Sequence, residues 1–390
     1  MFNIIIAGLT SLLTDISTEM IYPLLPLFLT TTLGATPDIV GIIEGLAESM
    51  ASLLKVFSGT ISDRLGRRKP LAVAGYGMAA VGKVLLALAG SWGMVLAGRL
   101  VDRFGKGIRT APRDAIIAES ASDSGRGRAF GLHRLFDTVG AAIGVALAYF
   151  FLTNYEGDYR PVFIASIVPA VLGVAILFLL REKGEGQGSD RRQLSFDWRC
   201  LDPRLRAFLM VTFLFTLGNS SNQFLLLRAQ NLGFDSATVV LLYLVYNLTY
   251  ALISYPAGRL SDRIGRRPLL VLGYAAYGIV YLGFALASQQ STLWWLFAAY
   301  GLYIGVTEGV EKALVADIAP AGQKATLIGL HATLVGIGLL PASAFAGLLW
   351  DLFGPAAPFY FGAATGLGAS FGLWWILRVQ PASQTKESGT

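Results

Sequence analysis

The chain is poor in the residues that soluble and redox chemistry need. Its 390 residues contain one cysteine, Cys200, which excludes an internal disulfide, and two histidines, too few beside it for a Cys/His metal cluster. No metal and no cofactor are therefore expected. Charged residues make up 14% against 54% hydrophobic, and the mean hydropathy of +0.58 excludes an ordinary soluble domain of this length. No phosphate-binding glycine loop, nucleophile elbow or metal-ligand spacing is present, so neither an enzyme nor an ATP-driven motor is expected.

Long apolar runs are what the chain does have. A bilayer crossing takes about 20 apolar residues, and runs near that length fall at 3–29, 38–58, 70–90, 92–118, 128–152 and 161–180. Six more follow at 207–228, 236–257, 268–288, 293–318, 326–350 and 357–377. The first run starts almost at Met1 and is too long for a signal-peptide core, so a first membrane helix is expected instead. Basic residues gather in alternate loops: Arg64, Arg67, Arg68 and Lys69; Arg126 and Arg128; Arg263, Arg266 and Arg267; and Lys183, Arg191, Arg192, Arg199 and Arg204 between residues 181 and 206. The other loops contribute only Arg160. The positive-inside rule then puts both termini and the 181–206 linker in the cytoplasm. It also accounts for the net charge of +6 without nucleic acid as a partner.

Gly59-Thr60-Ile61-Ser62-Asp63-Arg64-Leu65-Gly66-Arg67-Arg68 returns as Gly258-Arg259-Leu260-Ser261-Asp262-Arg263-Ile264-Gly265-Arg266-Arg267, 199 residues later. With Lys69 skipped the offset becomes 198; it then pairs Glu119 with Asp317 and His133 with His331, the protein's two histidines. A repeat of this size implies a duplicated six-helix unit. The motif, placed between spans two and three and again between eight and nine, resembles the signature of the major facilitator superfamily, and the resemblance covers the whole chain. It implies an all-α integral membrane fold of twelve transmembrane helices in two pseudo-symmetric six-helix bundles, residues 1–180 and 207–378, with a cytoplasmic linker at 181–206 and a tail at 379–390. It further implies a monomeric secondary transporter in the inner membrane, working by alternating access on a small-molecule substrate. The resemblance implies that Gly59, Asp63, Arg64, Gly66 and Arg67 form a gating turn, with Arg67 pairing Asp63 and, as the candidate acid, Glu119. The second copy offers Gly258, Asp262, Arg263, Gly265, Arg266 and Asp317.

The fourth run carries most of the charge. Arg99, Asp102, Arg103, Lys106, Arg109 and Arg113 fall within an arc of roughly 120° on a helix. A charge facing lipid at mid-bilayer costs roughly 2.5–3.5 kcal/mol even on the lenient insertion scale, so this stripe must face a wet cavity. Acids are available on other runs: Asp15 and Glu19 one turn apart, Glu44 and Glu48 on one face with Lys55, Asp137 beside Arg134, and Glu308 and Glu311 with Lys312. Three readings of these charges stay open. They can neutralise one another as a structural network. Arg103, Lys106, Arg109 and Arg113, with Glu308, Glu311 and Tyr246, can form the substrate site, guanidinium and ammonium groups suiting an anionic solute. Or Asp15, Glu19, Glu44, Glu48 or Glu308 can exchange protons, and Arg99 resembles a family arginine associated with proton transfer.

Lys83 should be paired rather than lipid-facing. His133 and His331 should lie near the cytoplasmic surface, as pH sensors or as polar tips in the interface. Tyr243, Tyr246, Tyr250 and Asn247 share one run and can line a cavity. Gly131, Gly140 and Gly144 match the glycine spacing of an exporter motif, but Val145 stands where its proline should be. The alternatives to a proton-coupled solute transporter are a multidrug/proton antiporter and a transporter-derived membrane receptor.

Overall fold

The computed structural model describes residues 2–65, 68–121, 126–155, 157–181, 201–319 and 324–376. Gly66, Arg67, most of the 181–206 linker and the 379–390 tail lie outside these residues. The side chains of Asp63 and Arg64, and the surroundings of Gly59, are likewise not described.

The described residues form twelve helices and no strands. They are α1 Phe2–Thr32, α2 Pro37–Leu65, α3 Lys69–Ala87, α4 Trp92–Ser120, α5 Arg126–Asn154 and α6 Arg160–Leu177. Then come α7, in the two pieces Pro203–Gly218 and Gln223–Asn231, α8 Ser236–Ile264, α9 Arg266–Leu286, α10 Gln290–Ile318, α11 Lys324–Phe353 and α12 Ala357–Ile376. Seven of them are long and apolar enough to cross a membrane on composition alone. Of the others, α2, α4 and α10 carry the interior charges, α7 is broken, and α12 is rich in glycine and tryptophan.

Local chemistry sets the ends of several helices. Ser91 caps α4 by accepting from the Met94 N–H. Asp235 caps α8 by accepting from Ala237 and Thr238, and the Thr238 contacts hold its carboxyl below the usual range. Gly265, at φ +90°, makes the turn from α8 to α9, a backbone angle that suits glycine. The last carbonyls of α3 and α9 are each capped by an arginine, Arg160 on Ala87 and Ala89, and Arg228 on Phe284, Ala285 and Ala287.

Packing repeats with a period of six helices. The neighbours α1·α5, α1·α6, α2·α4, α3·α4 and α3·α6 recur as α7·α11, α7·α12, α8·α10, α9·α10 and α9·α12. The bundles meet along α2·α11 and α5·α8, contacts that a two-fold axis exchanges. Ser49 fixes the first seam, donating to the Gly336 carbonyl at 2.6 Å and accepting from the Leu340 N–H at 3.1 Å.

The expected continuous run at 207–228 is not one helix. Helix α7 unwinds over residues 219–222, the polar stretch Asn219-Ser220-Ser221-Asn222. Helix α1 tightens to 3-10 geometry at Tyr22–Leu24 beside Pro23, then widens to a π-turn at Phe28–Thr32. Tyr22 and Ser221 stand 199 residues apart, the spacing of the repeated motif, so the two bundles are interrupted at equivalent depth. Freed polar groups in a membrane need new partners. Here Tyr277 donates to the Gly218 carbonyl at 2.8 Å, Tyr300 donates to the Asn222 side chain at 2.7 Å, and the Ser221 N–H donates to Ser343 at 3.2 Å.

The exporter-like glycines act in packing. A side chain at Gly140 would run into the Leu12 carbonyl of α1, whereas one at Gly131 would meet open space. Gly140→Val should lower stability by about 1–3 kcal/mol through overpacking, seen as a lower melting temperature in detergent, and Gly131→Val should leave it unchanged.

Candidate functional site

Charge neutralisation decides which side chains remain available. Arg99 grips Glu44 with two charge-assisted hydrogen bonds, Nε to Oε1 at 2.7 Å and Nη2 to Oε2 at 2.6 Å, and both side chains are at least 98% buried. Lys83 reaches Asp102 at 3.3 Å, which supplies the partner that sequence alone did not choose. Arg103 reaches Glu48 at 2.9 Å. Three bases from α3 and α4 thus meet three acids from α2 and α4, so this part of the stripe is neutralised within the protein.

Further along α4 the balance is different. Arg113 pairs with its neighbour Asp114 at 2.8 Å and touches Ser11 at 3.3 Å. Lys106 and Arg109 have no carboxylate within 4 Å among the described residues, and Arg109 instead lies over the Tyr76 ring at 4.2 Å. Both line a central cavity of about 350 Å³. Asp15 and Glu19 of α1 form another wall of the same cavity. Neither has a cation within 4 Å among the described residues; Glu19 accepts from the Tyr243 hydroxyl of α8 at 2.9 Å. The unwound residues 219–222 of α7, with Tyr300 and Ser343, supply an uncharged polar wall. Besides the paired Glu44, Glu48 and Arg103, the cavity therefore presents two bases and two acids without ion-pair partners among the described residues, and a set of amides and hydroxyls.

One end of this space is sealed. Leu24, Leu25, Leu27, Phe28 and Leu29 are at most 1% exposed, and the Tyr159–Ser236 hydrogen bond at 2.7 Å ties the two bundles there. Toward the end bearing the arginine-rich loops, Lys55, Lys106 and Lys312 are exposed. The cavity opens at that end.

Glu308, Glu311 and Tyr246 are not brought to the central cavity. Glu308 accepts from Tyr250 at 2.6 Å and pairs with Lys312 at 3.0 Å, while Glu311 lies 3.5 Å from His331. Tyr246 is buried, accepting from Asn222 at 3.3 Å. The histidines are no interfacial tips. Each is 4% exposed, and His133 bridges Ser11 at 2.9 Å and Asp137 at 3.3 Å. Of the expected gating contacts, Glu119 pairs with Arg68 at 2.6 Å, Arg67 lying outside the described residues. In the second copy Arg266 contacts Asp317 and reaches Asp262 at 3.8 Å, Arg263 is exposed, and Gly258 faces open space. Tyr22, Tyr76 and Tyr300 escaped the sequence reading; their signal was a hydroxyl recurring within otherwise apolar spans.

The major facilitator superfamily model matches residues 7–227 and 207–390. The chain belongs to this superfamily. A transporter of the major facilitator type from Methanocaldococcus jannaschii is 39% identical over 93% of this chain and 91% of its own. A protein of Cronobacter sakazakii named multidrug resistance protein MdtH is 26% identical over 95% of this chain and 93% of its own. Among solved structures, the nucleoside transporter NupG superposes with a TM-score of 0.78 at 13% identity, covering 97% of this chain and 100% of its own. A D-xylose-proton symporter gives 0.77 at 17%, covering 96% and 97%. The protein is a multi-pass membrane transporter of the major facilitator type.

Glu44→Gln takes from the buried Arg99 guanidinium its two-bond partner, leaves it only the longer contacts to Asp102 at 3.7 Å and Glu48 at 3.9 Å, and should cost about 3 kcal/mol. Asp15→Asn, which breaks no ion pair, should cost far less. Thermal unfolding of the two variants in one detergent checks the contrast.

Proposed function

We propose that this chain is a proton-coupled secondary transporter of a small organic solute bearing an anionic group. The observation that carries the reading is what neutralisation leaves over. Glu44, Glu48 and Asp102 are committed to Arg99, Arg103 and Lys83, while Asp15, Glu19, Lys106 and Arg109 face the cavity without ion-pair partners among the described residues. Lys106 and Arg109 suit a carboxylate or phosphate. Asp15 and Glu19, in a wet site close to those bases, suit reversible protonation, so that proton release and solute capture bias the same rocking equilibrium. On the positive-inside rule we read the arginine-rich end as cytoplasmic, and the structure as an inward-open state.

A second reading, proton-driven export of lipophilic compounds, is supported by the similarity to the relative named for multidrug resistance and by the carboxylates Asp15, Glu19, Glu44 and Glu48, which outnumber Arg103, Lys106 and Arg109 on the cavity wall.

Melting temperatures against a panel of carboxylates, phosphates, lipophilic cations and neutral sugars separate the two. A ligand at 100 times its Kd should add about 2.7 kcal/mol. The first reading expects an organic anion to stabilise the protein and the double variant Lys106→Gln, Arg109→Gln to abolish the shift; stabilisation by cations or neutral compounds alone rejects it. With that anion in liposomes, a pH gradient should drive uptake by the wild type. The pair Asp15→Asn, Glu19→Gln should retain solute exchange and lose the response to pH. Unchanged pH dependence would remove these two acids from the coupling role.

A further inference from the structure

The central cavity, of about 350 Å³, is divided by charge along the boundary between the bundles. Every charged residue that lines it lies on α1, α2 or α4 of the first bundle. The second bundle contributes the amides and hydroxyls of residues 219–222 and Ser343, and the half-buried apolar side chains Ile304 and Leu339. None of the lining residues from that side is charged. Within the charged half, opposite signs stand near one another without closing a pair. Asp15 has neither a hydrogen bond nor a cation within 4 Å among the described residues, yet it is close enough to feel the fields of Lys106 and Arg109. Arg109 is only 7% exposed, and its Nη1 is buried with no hydrogen-bond partner. The gap between these groups is wide enough to leave both signs unsatisfied, and the polar and apolar surface facing them carries no charge of its own.

Granted the anion-binding role of Lys106 and Arg109, on which this assignment rests, we infer that the solute is an α-amino acid with an uncharged side chain, its ammonium held by Asp15. A carboxylate-only solute bound to Lys106 and Arg109 lies beside Asp15, Glu19 and Glu48 and meets charge of its own sign. An amine-only solute bound to Asp15 meets Lys106, Arg109 and Arg103 in the same way. A zwitterion satisfies both sets and opposes neither, so the cavity selects it by attraction and by exclusion of the singly charged alternatives. The one-sided placement of the charges narrows the class further. An α-amino acid carries its ammonium and carboxylate on one carbon, so both reach the first bundle while the side chain points to the second. A molecule with its charges at opposite ends would press one of them against the uncharged wall, where it loses hydration without a counter-charge. Ile304 and Leu339 suit an apolar side chain there, and the volume accommodates one as large as leucine or phenylalanine. Glu19, already engaged by the Tyr243 hydroxyl, is left for the proton. Solute exchange by the pair Asp15→Asn, Glu19→Gln then persists at saturating amino acid, with a half-saturation concentration raised at least tenfold.

The test uses the full chain in detergent with radiolabelled L-leucine and L-phenylalanine as probes. Saturable binding of at least one is expected. Each has two analogues that keep the side chain and lack one charge: 4-methylpentanoate and 3-methylbutylamine for leucine, 3-phenylpropionate and 2-phenylethylamine for phenylalanine. As competitors on the wild type, both analogues should be at least tenfold weaker than the unlabelled amino acid. L-Lysine and L-glutamate, which bring a charge to the uncharged wall, should be weaker by a similar factor. On Asp15→Asn the amino acid should bind at least tenfold more weakly while its carboxylate analogue loses nothing, so that the two converge. A general loss of folding does not produce that convergence. Absence of binding by both amino acids, or an analogue of either sign as tight as its amino acid on the wild type, overturns the assignment. Unchanged amino-acid affinity in Asp15→Asn overturns the role of Asp15. The anion reading is decided apart from these outcomes. It stands if the carboxylate analogue equals the amino acid, falls if the amine analogue does, and rests on its own panel if neither amino acid binds.

Discussion

The structure depends on one constraint: a charge placed inside a membrane protein must find its counter-charge there. The Arg99–Glu44 pair meets it most completely, with two short hydrogen bonds in a site that excludes solvent. Around it Lys83, Asp102, Arg103 and Glu48 close a six-membered network that ties α2, α3 and α4 together. A buried pair of this kind adds little net stability over a well-packed apolar one, but losing one partner is severe. Its effect here is to fix the register of three helices, and so to determine which face of α4 turns to the cavity. Lys106 and Arg109 are presented because the residues one and two turns before them are held.

The two bundles share a plan and divide the chemistry. The first supplies the charges. The second supplies the unwound amides of α7 and a cluster of buried tyrosines, Tyr274, Tyr277, Tyr281, Tyr300 and Tyr303, whose rings lie within about 4–6 Å of one another or of the Phe215 ring among them. An unwound helix in a membrane is stable only where its freed polar groups find new partners; Tyr277 meets the Gly218 carbonyl and Tyr300 the Asn222 side chain. The polar wall of the cavity and the packing of the second bundle are therefore one arrangement.

Much of this was legible in the sequence, for identifiable reasons. The twelve helices followed from run length, the duplication from the repeated motif, and the wet face of α4 from helical periodicity, all of them properties of consecutive residues. Pairing was not legible, because it depends on distance across the fold. Arg113 and Arg109 share the stripe, yet one is neutralised by its own neighbour Asp114 and the other rests on Tyr76 of α3. Glu308 and Glu311 looked equivalent to the acids of the first half, but α10 turns them toward Lys312 and His331. The break in α7 was half legible: Asn219-Ser220-Ser221-Asn222 was visibly polar, and only the packing against Tyr277 and Ser343 shows it unwound.

The same contacts bear on what holds one state against another. Arg68–Glu119 and Arg266–Asp317 each lie within one bundle, and both are formed in a structure whose arginine-rich end is open. They brace loops, and rocking the bundles as rigid bodies does not stretch them. Contacts that do cross the interface are the ones rocking must break or make; besides Ser49 on the α2·α11 seam they include Tyr159 to Ser236 at the sealed end, Arg134 to Tyr250, and Tyr243 to Glu19. The last of these joins a cavity acid to the opposite bundle. A tyrosine hydroxyl donates more strongly to a carboxylate than to a carboxylic acid, so the ionised Glu19 favours the arrangement seen here and protonation weakens one of the ties between the bundles. Under the proposed coupling, the proton acts on the conformational equilibrium through a side chain that is already in the substrate cavity, and no separate relay between site and gate is required.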